Sequence, residues 1–266
     1  ALRILRLVRE TADAIVAADP ACVVTIDSSG FNFRLARQLR QRGYRGPLVH
    51  YVAPQLWAWW RPAKARSLGR WYDRVLALFP FEPAFFGGHG IDCRFVGHPA
   101  IEEGFGRPAD PSFRARHGIP PEVPVLTVLP GSRGSEVKRL LPIFGETVAR
   151  LATEVPGLRV VLPTVPTVAD RVASGVAQWT VPVTVLRQSA EKPSAFAESM
   201  AALAASGTVT LELALAGTPF VVAYQVHPAT AWLVRRKATV RFATMVNLLM
   251  EREIVPERLQ EACTPD

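Results

Sequence analysis

Asp27 stands at the end of an apolar run, residues 21–26 (ACVVTI), and Ser28, Ser29, Gly30, Phe31 and Asn32 follow it. In an open α/β sheet, ligands and catalytic groups collect beyond the carboxyl ends of the strands. A carboxylate there can take the proton of an attacking hydroxyl. It can equally be a turn or helix-cap Asp, and the local pattern leaves both open. A second candidate is Leu129-Pro130-Gly131-Ser132-Arg133-Gly134-Ser135-Glu136, set between an apolar run and a helical stretch. Its glycines permit a tight turn, N–H groups at the start of a helix attract anions, and Arg133 offers a planar fork suited to a diphosphate. The segment matches neither the dinucleotide fingerprint nor the Walker A pattern, so a plain Gly-Ser turn with a solvated Arg stays open too.

A third segment, Ser206-Gly207-Thr208, leads into an apolar helix that carries Glu212 one turn in. A half-buried carboxylate needs partners, and two vicinal ribose hydroxyls would serve, although a surface-facing Glu is the commoner case. His98 follows a short strand at Gly97-His98-Pro99 and is a further titratable group at a strand end. Residues 53–72 hold Trp57, Trp59, Trp60 and Trp71 among Arg61, Lys64, Arg66 and Arg70. That mixture suits a membrane interface or a sugar platform, or simply aromatic packing under a loop. No Asp-x-Asp motif occurs, and the three cysteines, Cys22, Cys93 and Cys263, have neither disulfide nor zinc spacing. No metal site is expected.

The elements that must position these groups alternate short β-branched runs with helical stretches, as in a parallel, helix-flanked sheet. Strands are expected at 21–26, 48–52, 74–79, 94–96, 125–129, 159–162, 183–186 and 220–224. Helices are expected at 1–16, 33–42, 62–69, 111–117, 136–154 and near 195–202. The first helix would place Leu2, Leu5, Val8, Ala12 and Ile15 on one face. Residues 102–124 are proline-rich with little periodicity, which reads as a linker. The expectation is an α/β protein of two Rossmann-like lobes, residues 1–104 and 105–266.

With 266 residues and 49% hydrophobic composition the chain can bury two cores. No stretch reads as a membrane span or a secretory signal, so a cytosolic chain is expected. Thirty-one Lys and Arg against 23 Asp and Glu give a net charge of +8. That points to an anionic partner, either a membrane surface or a phosphorylated substrate. Nucleic acid is not expected, because neither aromatic RNA-binding motifs nor zinc-finger spacings occur. Both ends read as cut, and a longer parent protein is expected.

Taken in order, IDSSGFN (26–32), YVAPQLWAW (51–59), DRVLALFPFE (73–82), FVGHP (95–99), LPGSRGSEVKRLLP (129–142), ASGTVTLELALAGTPFVVAY (205–224) and VNLL (246–249) resemble the lipid-A-disaccharide synthase family. The resemblance implies the two-lobed, metal-independent GT-B glycosyltransferase fold. It also implies an inverting transfer of 2,3-diacylglucosamine from UDP to the 6-hydroxyl of 2,3-diacylglucosamine 1-phosphate. On it, Asp27 matches the family's base and Arg133 an essential Arg that engages phosphate. Gly131, Ser132, Ser206, Gly207, Thr208, Glu212, Asn247, Asn32 and His98 fall in substrate-binding positions. No cofactor is implied, since the UDP-activated sugar is a substrate. The implied location is the cytoplasmic face of the inner membrane, peripherally bound. Gly30 stands where the family usually has a second Asp, Val246 where it has Pro, and Met250-Glu251 where an Ala-Gly pair is typical. The family's Gly-rich N-terminal segment and its C-terminal helices have no counterpart in the chain, so this piece alone is expected not to turn over.

Two rivals remain at this level. A nucleotide-sugar epimerase of the same shape would use UDP without an external acceptor. A non-catalytic basic protein of a membrane surface or nucleic acid would show no UDP affinity and a steep dependence on salt.

Overall fold

The computed structural model describes residues 2–59 and 62–266; Ala1, Trp60 and Arg61, which the sequence reading touches, lie outside them. The chain divides into two compact units, Ala1–His98 with Lys237–Thr239, and Pro99–Arg236 with Val240–Asp266.

The first unit holds four parallel strands, β1 (Val23–Ile26), β2 (Leu48–Tyr51), β3 (Arg74–Ala77) and β4 (Cys93–Phe95), in the order β1-β2-β3-β4. Helices α1 (Leu2–Ala18), α2 (Ser29–Gln41), α3 (Pro62–Leu68) and α4 (Glu82–Gly87) connect and flank them. The core gathers Val8, Ala12, Leu35, Leu39, Leu48, Leu68, Val75 and Phe86. Although residues 21–26 form an apolar run, β1 lies at the edge of this sheet and its burial alternates, with Val23 and Thr25 inward and Val24 and Ile26 exposed. On α1 only Val8 and Ala12 of the expected apolar face are buried, while Leu2 is 85% exposed.

The second unit begins with the short helix α5 (Phe113–Arg116). Then come β5 (Val125–Leu129), α6 (Gly134–Glu154), β6 (Arg159–Pro163), α7 (Ala169–Val176), β7 (Val183–Leu186), α8 (Lys192–Ala197) and β8 (Ala201–Ala204). The chain continues through α9 (Val209–Ala216), β9 (Phe220–Tyr224), α10 (Pro228–Lys237), α11 (Met245–Met250) and β10 (Glu257–Leu259). The six strands are parallel, ordered β10-β9-β8-β5-β6-β7. Both faces are covered, so β5 (VLTVL) is buried at every position, as parallel sheets require. Phe144 on one face and Phe113 and Phe196 on the other are fully buried. Truncating any of them to Ala costs about 3–5 kcal/mol.

The unit border falls between His98 and Pro99 rather than at Gly104, because the proline-rich stretch is built onto the second unit. Residues Pro99–Ile101 pack on α9, Phe105 stacks on Phe196 at 5.6 Å, and the Gly106 backbone approaches the Leu215 carbonyl too closely for a side chain. The helix expected near 195–202 also splits. Its first part is α8, but Ala201–Ala204 is a strand between β5 and β9. Alanine's helix preference yields there to a central place in the sheet.

No helix among the described residues is long and apolar enough to cross a membrane.

Candidate active site

In the first unit, β1 delivers Asp27 to the carboxyl edge of the sheet, where its backbone N–H still donates to the Tyr51 carbonyl at 2.9 Å. The chain then turns through two consecutive left-handed residues, Asp27 (φ 46°) and Ser28 (φ 37°). Outside glycine such a conformation costs about 1 kcal/mol or more per residue. Buried Asn32 holds the turn: its Nδ2 donates to the carbonyls of Ile26 at 2.9 Å and Asp27 at 2.8 Å. The Asp27 side chain itself is exposed. At Asn32, which the resemblance places among substrate-binding positions, both amide donors are engaged by the chain and pin the Asp27 turn.

Beside this edge, buried Glu82 accepts the N–H groups of Leu78 (3.1 Å) and Phe79 (3.0 Å) and the indole N–H of Trp57 (3.1 Å). Burial pushes its carboxyl upward, and these three hydrogen bonds oppose the shift. Trp57 meets Phe81 edge-on at 4.9 Å, Phe81 stacks on Phe79 at 5.9 Å, and Phe79 tilts against His98 at 5.6 Å. The loops after β2, β3 and β4 therefore share one aromatic cluster, and His98 belongs to it.

In the second unit the decisive feature is a reversal of strand order. From β5 the chain passes to β6 on one side, while β8, entered later, lies on the other side and continues to β9. Leu129 and Ala204 are register partners at the ends of β5 and β8, so residues 130–133 and 205–208 leave the sheet side by side. Such a switch point opens a crevice at the carboxyl edge. Gly131, Ser132 and Arg133 lie in the loop that follows β5, and Ser206, Gly207 and Thr208 in the loop that follows β8.

The first loop is organised by Glu136. Its Oε2 accepts the N–H groups of Ser132 (3.1 Å) and Arg133 (3.2 Å); its Oε1 lies 2.6 Å from Arg133 Nη1 and 3.1 Å from Tyr224 Oη. Gly131, at φ 107°, must be glycine, since a Cβ would sit 2.5 Å from the Glu136 carboxylate. The loop N–H groups expected to await an anion are thus partly satisfied from within. Arg133 keeps 76% of its side chain exposed, and the neighbouring carboxylate raises its pKa further, so it remains a cation.

The second loop is tied to the end of the chain. Ser206 Oγ donates to the Ala243 carbonyl at 3.1 Å. Glu257 on β10 accepts the N–H groups of Ala243 and Thr244, both at 2.9 Å, and the Thr244 hydroxyl at 2.8 Å. Asn247 is fully buried with its amide saturated: Nδ2 donates to the Val255 carbonyl and Glu257, and Oδ1 accepts from the N–H groups of Ile254 and Val255. In this structure the Asn247 amide, expected at a nucleotide contact, makes four hydrogen bonds within the protein.

Glu212 lies one turn inside α9, as the sequence suggests, and is buried. Gly217, at φ 72°, ends that helix in the left-handed cap glycine favours. Lys192 Nζ lies 2.6 Å from Glu212 Oε2, an ion pair without hydrogen-bond alignment, and 5.5 Å from the Phe105 ring centroid. Among the described residues no three His, Cys, Asp or Glu side chains cluster as a metal site would need.

The model of the lipid-A-disaccharide synthetase family matches residues 1–266. The chain belongs to that family. It is 51% identical over 263 residues to the lipid-A-disaccharide synthase of Rhodospirillum centenum, covering 99% of this chain and 65% of that protein. The chain thus spans slightly less than two thirds of that relative's length. Among solved structures it resembles S. aureus MnaA, solved with UDP, at a TM-score of 0.61 and 13% identity, covering 94% of this chain and 70% of that one. Acinetobacter baumannii MurG gives 0.56 and 15%, covering 99% and 67%. These likenesses, with the two parallel sheets, establish the two-lobed GT-B architecture.

Within this lipid-A-disaccharide synthetase family member, Glu136, Tyr224, Lys192, Glu82 and Glu257 are site-building residues that sequence reasoning missed. Glu136 alone carried a signal, as an acid one turn into a helix behind a Gly loop; the others meet their partners only through the fold. Where the family has the Ala-Gly pair, Glu251 adopts the left-handed cap of α11 (φ 54°) that glycine would fill without strain.

Proposed function

We propose that the protein to which this chain belongs is an inverting, metal-independent glycosyltransferase. It moves 2,3-diacylglucosamine from UDP to the 6-hydroxyl of 2,3-diacylglucosamine 1-phosphate. The observation that carries the reading is the switch point of the second sheet, with both family loops side by side in a chain whose whole length matches the family. The UDP moiety of the donor occupies that crevice between the Gly131–Arg133 and Ser206–Thr208 loops. Glu212 meets the ribose, its carboxylate exchanging Lys192 for two hydroxyls. In the first unit the acceptor rests on the aromatic cluster that includes His98, with its hydroxyl toward Asp27.

The step balances simply. The acceptor oxygen forms a bond to the anomeric carbon, its proton passes to the Asp27 carboxylate, and the bond from that carbon to the diphosphate oxygen breaks. UDP leaves with the electron pair. Arg133 stabilises the charge that grows on it.

Both substrates are acylated, so the enzyme works at the cytoplasmic surface of the inner membrane. One exposed helix supports this: on α10, Trp232 and Leu233 are exposed beside Arg236. Apolar groups framed by cations suit an anionic bilayer.

The test is UDP release by the full-length protein, with donor alone and with donor plus acceptor. Release should depend on the acceptor and persist in chelator. Release or sugar epimerisation without acceptor contradicts the reading and favours the epimerase.

A further inference from the structure

Beneath the Asp27 turn lies a chain of buried polar groups. Tyr72 Oη donates to the Asn32 carbonyl at 3.0 Å, Thr25 Oγ1 lies 3.0 Å from Tyr72 Oη, and His50 Nδ1 lies 2.8 Å from Thr25 Oγ1. Each hydroxyl has one proton. With the Tyr72 proton on Asn32, Thr25 Oγ1 has Tyr72 Oη at 3.0 Å and the Val49 carbonyl at 3.3 Å as acceptors, and its contact with His50 Nδ1 runs either way with the imidazole tautomer. The groups form one connected relay from His50 through Thr25 and Tyr72 to Asn32. His50 Nε2 is buried without a partner. Phe33 packs edge-on against both His50 (5.3 Å) and Tyr72 (6.1 Å), enclosing the relay.

The relay ends on the residue whose side chain pins Asp27. Asn32 takes Tyr72 on its backbone carbonyl and holds the carbonyls of Ile26 and Asp27 with its amide. A buried polar network is a poor way to stabilise a core that apolar side chains could fill, and this one is anchored to a strained turn. We propose that Thr25, His50 and Tyr72 are positioning residues that fix the Asp27 carboxylate toward the acceptor hydroxyl by way of Asn32. The inference rests on the reading of Asp27 as the base. Burial holds the His50 ring neutral near neutral pH, with its pKa lowered to about 4, so the chain of groups carries no added charge there.

The experiment uses the full-length protein and compares Tyr72→Phe, Thr25→Val, Thr25→Ser, Asp27→Asn and the double variant Tyr72→Phe/Asp27→Asn. Tyr72→Phe and Thr25→Val each remove one hydroxyl while keeping shape, so either serves if the other fails to fold. Expected is a fall in kcat of about tenfold or more with both KM values and UDP affinity unchanged, the mark of a misplaced catalytic group. Thr25→Ser should keep the rate. In the Asp27→Asn background, Tyr72→Phe should cost nothing further, because it acts through Asp27. An unchanged kcat in Tyr72→Phe and Thr25→Val, or a full additional loss in the double variant, overturns the relay while leaving the base in place. A rate retained by Asp27→Asn overturns the base, and the relay's role with it.

Discussion

Lys192 Nζ sits 2.6 Å from Glu212 Oε2, although α8 and α9 carry the two residues on separate crossovers of the second sheet. Glu212 is buried and its cation is mostly so. Removing one partner of such a pair strands the other charge, at a cost of about 3–5 kcal/mol. Lys192→Ala should therefore lower stability by that amount in urea unfolding. Lys192→Met combined with Glu212→Gln should recover most of the loss. A single-variant loss below about 1 kcal/mol, typical of exposed pairs, would mean that the pair is a surface contact.

Asn247 gives a second prediction, because its amide is used four times inside the protein. Asn247→Ala leaves the Val255 carbonyl and the N–H groups of Ile254 and Val255 without partners. At about 1–3 kcal/mol for each stranded buried group, stability should fall by roughly 3 kcal/mol or more without any ligand present. A variant as stable as the parent that lost only UDP affinity would restore Asn247 as a direct nucleotide contact.

His50 predicts an acid limb. Its pKa is lowered from 6.5 to about 4 by burial, and the Asp27 charge only partly opposes this. A folded pKa below the unfolded one means that the unfolded chain protonates first as pH falls. Stability is then full above about pH 6.5 and declines toward pH 4, by about 3 kcal/mol in all. Urea midpoints measured from pH 7.5 to 4 should show this extra decline in the parent and not in His50→Gln. Parallel curves would assign the acid limb to other groups.

Much of the fold could be read from the chain because parallel strands buried on both faces are apolar runs, and β5, β6 and β9 are such runs. The elements that escaped are those where length or composition misleads. Ala201–Ala204 carries a helix former in a central strand, and α4, α7 and α11 are too short to show a period. The candidate site was legible as loops but not as partners. Gly131 to Arg133 and Ser206 to Thr208 announced themselves by glycine and small residues at strand ends. Nothing in spacing could tell that Glu136 fills the first loop, that Lys192 meets Glu212, or that Asn32 and Asn247 face inward. Those pairings are made by tertiary contacts between residues far apart in sequence.

The central claim is that Asp27, held in its left-handed turn, is the base of the transfer. Steady-state kinetics of full-length Asp27→Asn with both lipid substrates, beside UDP titration, test it most directly. The amide keeps the shape but cannot take the proton, so kcat should fall by about 10²–10⁴-fold while UDP affinity stays within about twofold, a difference under roughly 0.5 kcal/mol. If Asp27→Asn keeps more than about a tenth of the parent rate, well short of the loss expected for a base, the claim is contradicted. The strained turn is then structural, and the search for the base moves along the same sheet edge to His98.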